Sequence, residues 1–458
     1  MNLIKQKKII TLVLIAVLIM TSGLSCKLLP TKKPPLSLTK PIELSYWGVW
    51  DSSDDWQPLI DDFNIMHPNI KIIYKKFRYA EYEQKLLEAW AEDRGPDIYS
   101  IPATWLKKYQ ERITPMPASV KLSFREVKKV LGKTEISDVV RQLPTFSLND
   151  IKNKFVDVIN DDIIMDGQIY GLPFSVDTLV LYYNRDILDS NGIAVPPGNW
   201  TELAETVKKI TKVDKNNNII QSAIALGTAN NVPQAFDIVS LLMMQNGTQM
   251  ISSTGQVNFH LSPTKERDNL PGLQALLFYT DFANPIKEVY SWNAEQLNAF
   301  EAFISGKLAM LYGYSYYLPL IKTQAPKLDV GIAPMTQIQG ATNPLNYTDY
   351  WVETVSHKTK SIDASWGFLT FAASQNETEK YLEKTKKPAA LRNLITKQRE
   401  DPEISVFANQ TLSATHWYKG KDILKAEEIF KELIETLPNS AEPTKLLELT
   451  AKKINLTL

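Results

Sequence analysis

DGQIYGLPFSVDTLVLYYNRDIL, residues 166–188, is the stretch that decides the fold. Asp166-Gly167 is a two-residue turn signal between short apolar runs, the pattern of a tight hairpin. Gly171 and Pro173 punctuate the chain after it. Phe174 to Tyr183 is an apolar, β-branched and aromatic run, too short for a packed helix, and is expected to form a buried strand. One carboxylate, Asp177, interrupts it. A charge inside a buried strand is costly unless it is paired or faces a polar cavity. The alternative is an Asp that ends or kinks the strand, which Pro173 and Ser175 would favour by making the first half loop-like.

The segment upstream says what kind of sheet that strand belongs with. Ile42 to Trp47 alternates as a strand does, and Gly48 closes it. Asp54 and Asp55 supply the acidic start of a helix carrying Trp56, Leu59, Ile60, Phe63 and Met66 on one face, ended by His67-Pro68-Asn69. Ile70 to Phe77 is the next strand, Tyr79 to Glu92 the next helix, and Asp97-Ile98-Tyr99-Ser100 a third strand after Gly95-Pro96. The alternation β-α-β-α-β predicts a parallel sheet with helices on its faces. Ligands of such sheets meet the loops at the carboxyl ends of the strands. Those loops carry Trp47, Trp50 and Asp51 after the first strand, and Pro102, Thr104 and Trp105 after the third. Downstream, Trp200 to Ile210, Val232 to Met244, Leu297 to Ser305, Ala364 to Ala373 and Ile423 to Leu437 are expected helices. Asn216-Asn217-Asn218 is a polar turn, Leu308 to Tyr312 a strand, and a last helix is centred on Thr444 to Ile454.

A chain of 458 residues has room for two or three domains. It is 44% hydrophobic and 22% charged, and its 51 basic residues balance its 51 acidic ones. That composition is of an ordinary globular protein and gives no electrostatic reason to expect nucleic acid. The ten Trp and nineteen Tyr cluster in several loops. Near the N-terminus, Lys5, Lys7 and Lys8 precede the apolar run Ile9 to Met20 and then Thr21-Ser22-Gly23, the order of an export signal. Its apolar core is too short to span a bilayer comfortably. The single cysteine, Cys26, lies in GLSCK and resembles the lipidated residue of a bacterial lipoprotein signal, although Gly23 stands where Leu is usual. An ordinary signal peptide or an uncleaved anchor is the alternative, and each of these places the body outside the cytoplasm. With no other cysteine, no disulfide framework is expected. Lys27 to Pro41 is Lys-, Pro-, Ser- and Thr-rich and has the composition of a flexible tether.

Reactive chemistry leaves little trace. There is no G-x-S-x-G elbow and no G-x-x-x-x-G-K-[ST] phosphate loop. His67, His260, His357 and His416 lack metal-ligand spacing. Asp214-Lys215-Asn216-Asn217-Asn218 begins like a calcium loop, but Ala225 stands where the bidentate Glu should be, so a solvated turn is expected. Asp97 and Asp177 would make an acid/base pair across a cleft only at a separation that sequence does not set. No cofactor and no metal are expected.

Ordered along the chain, Gly95-Pro96-Asp97-Ile98, Asp166-Gly167 with Tyr170-Gly171-Leu172-Pro173, Leu181-Tyr182-Tyr183-Asn184 with Asp186, Pro196-Pro197, Trp200, Glu202-Leu203, Phe303, Gly306-Lys307, Ala309-Met310 and Gly331-Ile332-Ala333-Pro334 are similar to the sugar-type extracellular solute-binding proteins of ABC importers, the maltose-binding-protein-like family. Each motif is weak alone; their order over the whole mature chain is specific. The resemblance implies an α/β, two-lobed periplasmic-binding-protein fold, each lobe a mainly parallel sheet flanked by helices, with the ligand in the cleft between them. It implies a signal peptide over 1–26, a tether over 27–41, lobe one over 42–176 and 352–398, and lobe two over 177–351 and 399–458. The chain would cross near Ser175 to Leu179, Tyr350 to Val355 and Thr396 to Pro402.

On that resemblance the ligand is a sugar or oligosaccharide, held by Trp47, Trp50, Asp51, Thr104 and Trp105 from lobe one. Asp177, Trp292, Tyr314, Trp351 and Trp417 would hold it from lobe two. Trp and Tyr stack on apolar sugar faces while Asp and Asn bond the hydroxyls. Asp177 corresponds to an acidic ligand residue of the maltose-binding relatives, and Tyr314 lies beside their cleft aromatic. A packing role is open for Trp292 and Trp417, a backbone-orienting role for Asp97, and Trp200 is assigned to packing at a helix start. The expected partners are the transmembrane permease subunits of an ABC importer and, through lipidated Cys26, the outer face of the cytoplasmic membrane, with the protein a monomer. The alternatives are a binder of another solute (peptide, polyamine or sugar phosphate) and a surface carbohydrate-active enzyme. A sugar phosphate would ask for a basic pocket, and the candidate residues include no Arg or Lys.

Overall fold

The structure is a computed structural model that describes residues 40–130, 133–264 and 269–458. The expected signal peptide over 1–26 with Cys26, and the tether up to residue 39, lie outside the described residues.

The first lobe is built on a four-stranded sheet in the order Trp351–Val355, Ile98–Pro102, Ile42–Gly48, Ile70–Lys76. The last three strands are parallel, as the β-α-β-α-β alternation requires. The edge strand Trp351–Val355 runs antiparallel to them, Trp351 opposite Pro102 and Val355 opposite Ile98. It arrives from the other lobe, so no crossover helix fixes its direction. Every residue of Ile98–Pro102 is buried, as in a central strand covered on both faces. The helix Ser53–Met66 starts where the acidic pair stands: Ser52 caps it and Asp55 completes a capping box. Its face of Trp56, Leu59, Ile60 and Phe63 is buried, and the Trp56 indole meets Tyr46 edge-on at 5.0 Å.

Asp166 and Gly167, at φ 52° and 73°, turn the two short strands Ile164–Met165 and Gln168–Ile169. The expected strand over Phe174–Tyr183 is a correction. Ser175 makes an isolated bridge to Ala389, Asp177–Thr178 pairs with Asn346–Asp349, and only Val180–Asn184 continues as a strand of the second lobe. The Asp177 carboxylate takes the next backbone amide, Thr178 N, at 2.9 Å. Such local bonding competes with ladder pairing, and the strand breaks where the chain changes lobes.

The second lobe carries a five-stranded sheet in the order Lys212–Val213, Ile219–Ile224, Leu308–Gly313, Val180–Asn184, Val330–Ala333. Only Ile219–Ile224 with Leu308–Gly313 is parallel, so this sheet is mixed rather than mainly parallel. Val180–Asn184 enters from the first lobe and opposes both of its neighbours. Helices Trp200–Ile210, Ala235–Gln245, Ala299–Ile304, Ile423–Thr436 and Pro443–Asn455 lie within a few residues of expectation. Asn199 caps the first of them, and Trp200 is buried there with its Nε1 donating to Gln245 at 2.6 Å. Asp214 accepts the amides of Asn216 and Asn218, so the calcium-like stretch is a polar turn. No group of three or more metal-ligating side chains occurs among the described residues.

Between the lobes runs a small sheet in the order Ala414–Thr415, Asn346–Asp349, Asp177–Thr178. Asp349 stands opposite Asp177 in it. The passage expected near Thr396 to Pro402 is the end of the helix Arg392–Gln398 and a turn. The following helix Ser405–Gln410 places Gln410 Nε2 on Thr178 Oγ1 and the Leu179 carbonyl, both at 2.9 Å.

One element was not expected. Ser119–Val130 and Lys133–Pro144 form a two-stranded sheet. Arg125–Val139 belongs to a compact unit of its own, in which Arg125 and Asp138 are ion-paired at 3.4 Å. In the body, Leu122 packs over Gly367, where an added Cβ would lie 2.7 Å from Leu122 Cδ1.

Candidate ligand cleft

A cavity of about 510 Å³ opens where loops from both lobes meet the small crossing sheet. Trp50 and Asp51 follow the first strand of lobe one; Tyr314, Ser315 and Tyr316 follow Leu308–Gly313 of lobe two. Asp177, Asp349 and Trp351 come from the crossings. These are strand ends, where open α/β sheets present ligands.

Aromatic rings form one wall. Trp50 is 44% exposed, a large apolar surface for a residue so close to the sheet. Its indole stacks on Tyr316 at 5.6 Å and 20°, and on Tyr79 at 5.9 Å and 22°. Trp351 meets it edge-on at 6.0 Å. Tyr314 lies parallel to Tyr316 at 6.3 Å and 21°, and its hydroxyl donates to Asp237 at 2.8 Å. The loop that presents Trp50 is braced by Lys76 on its carbonyl at 2.8 Å and by Tyr74 on the Asp51 carbonyl at 3.1 Å.

Carboxylates form the floor. Asp177 Oδ2 accepts both the backbone amide and the hydroxyl of Ser315, at 2.8 and 2.6 Å. Burial nevertheless pushes its pKa up to about 7, with those hydrogen bonds pulling the other way. Asp349 reaches water at the cavity surface yet is surrounded by protein, and desolvation raises it to about 6. Asp51 is differently placed: it is buried against Lys387, and its Oδ2 accepts the Tyr381 hydroxyl at 2.9 Å. It shapes the Trp50 loop while lining the cavity.

Of the ten expected ligand residues, five line this cavity together: Trp50, Asp51, Asp177, Tyr314 and Trp351. The other five lie elsewhere. Trp47 packs on Phe77 at 4.5 Å, its indole half-buried against lobe one. Trp105 is buried against Tyr109, and Thr104 lines a separate cavity of about 270 Å³. Trp292 is fully buried, with its Nε1 on Asn231 at 3.0 Å. Trp417 sits among Phe236, Phe259 and Phe430 with its Nε1 on Ser240 at 2.8 Å. For these two tryptophans packing wins, because each buried N–H already has its acceptor. Asp97 is also spoken for. It accepts the Ser45 amide and hydroxyl and the Thr359 hydroxyl, and it does not line the cavity.

Sequence reasoning missed Ser315, Tyr316 and Asp349. The signal for two of them was adjacent: Tyr314-Ser315-Tyr316-Tyr317 directly follows a strand. It also missed four lysines on the rim, each with an acceptor of its own: Lys322 on Glu403 at 2.6 Å, Lys386 on Asp401 at 3.2 Å, Lys387 on Asp51, and Lys384 on the Asp54 carbonyl.

Comparison with known proteins agrees with this architecture. The family model for bacterial extracellular solute-binding proteins matches residues 50–378, more than two thirds of the chain. A protein of Brucella abortus (strain 2308) named as a binding protein is 23% identical over 313 residues, covering 66% of this chain and 70% of that one. The maltotriose-binding protein of Pyrococcus abyssi (strain GE5 / Orsay) is 20% identical over 330 residues, 71% of this chain and 61% of its own. Among solved structures, the cyclic alpha-maltosyl-1,6-maltose binding protein from Arthrobacter globiformis superposes with a TM-score of 0.71 at 17% identity, over 91% of this chain and 99% of that one.

Proposed function

This chain belongs to the bacterial extracellular solute-binding protein family, and from that premise we propose that it captures a sugar or oligosaccharide in the cleft between its lobes. The observation that carries the reading is the composition of the cavity. The stacked faces of Trp50 and Tyr316, with Trp351 edge-on beside them, suit the apolar faces of pyranose rings, and Asp177 and Asp349 suit hydroxyl donors. The relatives and structural neighbours named for a ligand include binders of maltotriose and of a cyclic maltosyl-maltose, which supports the class. The rim lysines are each occupied within the protein, so an anionic solute such as a sugar phosphate is the weaker reading.

We place lobe one at 42–176 and 352–398 and lobe two at 177–351 and 399–458, with Trp351 at the junction, since it already pairs with Pro102. A ligand that touches Trp50 from one side and Tyr316 from the other binds the closed arrangement better than the open one and shifts the population towards it. The closed form then delivers the sugar to the transmembrane subunits of an ABC importer. The protein acts as a binder and not as an enzyme, a reading its relatives' names support. Export, with lipidation at Cys26, holds it at the outer face of the cytoplasmic membrane.

The test is a carbohydrate panel followed by tryptophan emission and melting temperature, with mass spectrometry of whatever ligand copurifies. Binding to the native state raises apparent stability by mass action. A broad panel of mono- and oligosaccharides that moves neither signal refutes the assignment.

A further inference from the structure

Away from the aromatic wall, a second cluster joins the lobes. Asp162 lies on the helix Asp157–Ile163, in the first lobe, and its side chain is 2% exposed. Three donors converge on it. Tyr350 donates its hydroxyl to Oδ2 at 2.5 Å, His416 Nε2 lies 2.7 Å from the same oxygen, and the Lys419 ammonium contacts Oδ1. Burial lowers the pKa of His416 to about 4. A carboxylate only accepts, so the imidazole gives its Nε2–H to Asp162, while Lys419, 45% exposed, supplies positive charge.

The donors come from the other side of the crossing. His416 and Lys419 follow the crossing strand Ala414–Thr415 and lead into the second-lobe helix Ile423–Thr436. Tyr350 sits between the crossing strand Asn346–Asp349 and the first-lobe strand Trp351–Val355, so its neighbours on both sides line the ligand cavity. A buried carboxylate with its full set of donors is hard to leave half-paired. The lobes therefore cannot change angle at this point without either carrying the cluster as a rigid unit or breaking it. The small cavity beside it, which Thr104 and Lys107 also line, gives water a way in when it breaks.

We propose that Asp162 is a positioning residue whose buried contacts with Tyr350, His416 and Lys419 latch the first lobe to the second and set the resting angle of the cleft. The proposal rests on the hinge-closure reading above, but its test needs no sugar. Full-length chain carrying Cys26→Ser receives Ile65→Cys and Ile286→Cys, two strongly exposed sites on opposite lobes, and spin labels report the interlobe distance. Asp162→Asn and Lys419→Met are each compared with the parent.

The expected result is a broadened distribution with a second, longer-distance population in both variants. A purely structural role predicts a lower melting temperature with the parental distribution retained, and that outcome overturns the latch. Should Asp162→Asn fail to fold by far-ultraviolet circular dichroism, Lys419→Met decides alone, because its side chain is half-exposed. A negative sugar panel together with shifted distances would reject the sugar and keep the latch; unchanged distances with positive sugar binding would do the reverse.

Discussion

The indole of Trp50, from the first lobe, and the phenol ring of Tyr316, from the second, lie face to face across the cleft at 5.6 Å and 20°. That is the separation of rings touching one another. A pyranose held between two aromatic faces needs about twice a stacking distance, roughly 9–14 Å between ring centroids. A sugar enters the open cleft, and closure then brings the two rings onto its faces with the sugar holding them apart, which couples ligand binding to the interlobe angle.

Trp50→Ala should therefore weaken sugar binding by about tenfold to a hundredfold, roughly 1.4–2.8 kcal/mol. The side chain is 44% exposed and its contacts are to other rings of the cleft wall, so the melting temperature of the free protein should move little. Isothermal titration with the best ligand of the panel checks this; parental affinity in the variant would remove Trp50 from the site.

Asp349 and Asp177 should separate into different roles. Asp349 is accessible at the cavity surface, and Asp349→Asn should lower affinity while leaving stability intact or slightly raised. Asp177→Ala should lower both, because the Ser315 amide and hydroxyl lose their shared acceptor. Thermal melts and titrations on the two variants give the answer. Normal binding by Asp177→Ala would confine that residue to a structural role.

A pH dependence follows from Glu353, buried on the strand Trp351–Val355 and pushed up to about 7 by desolvation. Its folded pKa lies above its unfolded one, so the folded state holds the proton more tightly between about pH 4.5 and 7. Stability from this group is thus present below that window and lost as the pH rises through it. His416, lowered to about 4, acts in the opposite sense over the lower part of the range. Glu353→Gln should raise stability at pH 8 by roughly 1–3 kcal/mol and change little at pH 5. Denaturant titrations at the two pH values test it, and an equal effect at both would contradict the assignment.

Trp292 provides the opposite case to Trp50. Trp292→Phe removes a buried N–H from Asn231 and leaves a small void, so a loss of about 1–3 kcal/mol in stability is expected. Sugar affinity should stay within about twofold. A large affinity loss at parental stability would return Trp292 to the cleft.

Much of the fold was legible because it is periodic and local. The capping box at Ser52 and Asp55, the Asp166-Gly167 turn and the helix Trp200–Ile210 sit where turn chemistry and apolar spacing place them. The run Phe174–Tyr183 misled because its strand-like composition belongs to two different sheets, and composition does not mark where a chain changes partner. The strand Ser119–Val130 carried a signal that went unread: Val120, Leu122 and Phe124 alternate with polar residues, and the first two are buried.

What the sequence by itself determined was the order of strands and helices, the positions of turns and caps, and a motif order similar to that of the solute-binding family. These depend on neighbours within a few residues, which the chain always brings along. Only the tertiary structure decided which aromatic and acidic side chains share a cavity. Trp50 and Trp292 are the same residue type, each in a loop, yet one stacks across the cleft and the other fills a core. Whether an indole is wet or buried depends on which surfaces pack over it, and those surfaces come from segments hundreds of residues away. Asp177 shows the same limit: its neighbours in sequence leave it an awkward carboxylate, and Ser315, after the strand Leu308–Gly313, with Asp349 from the crossing, makes it the floor of a cleft.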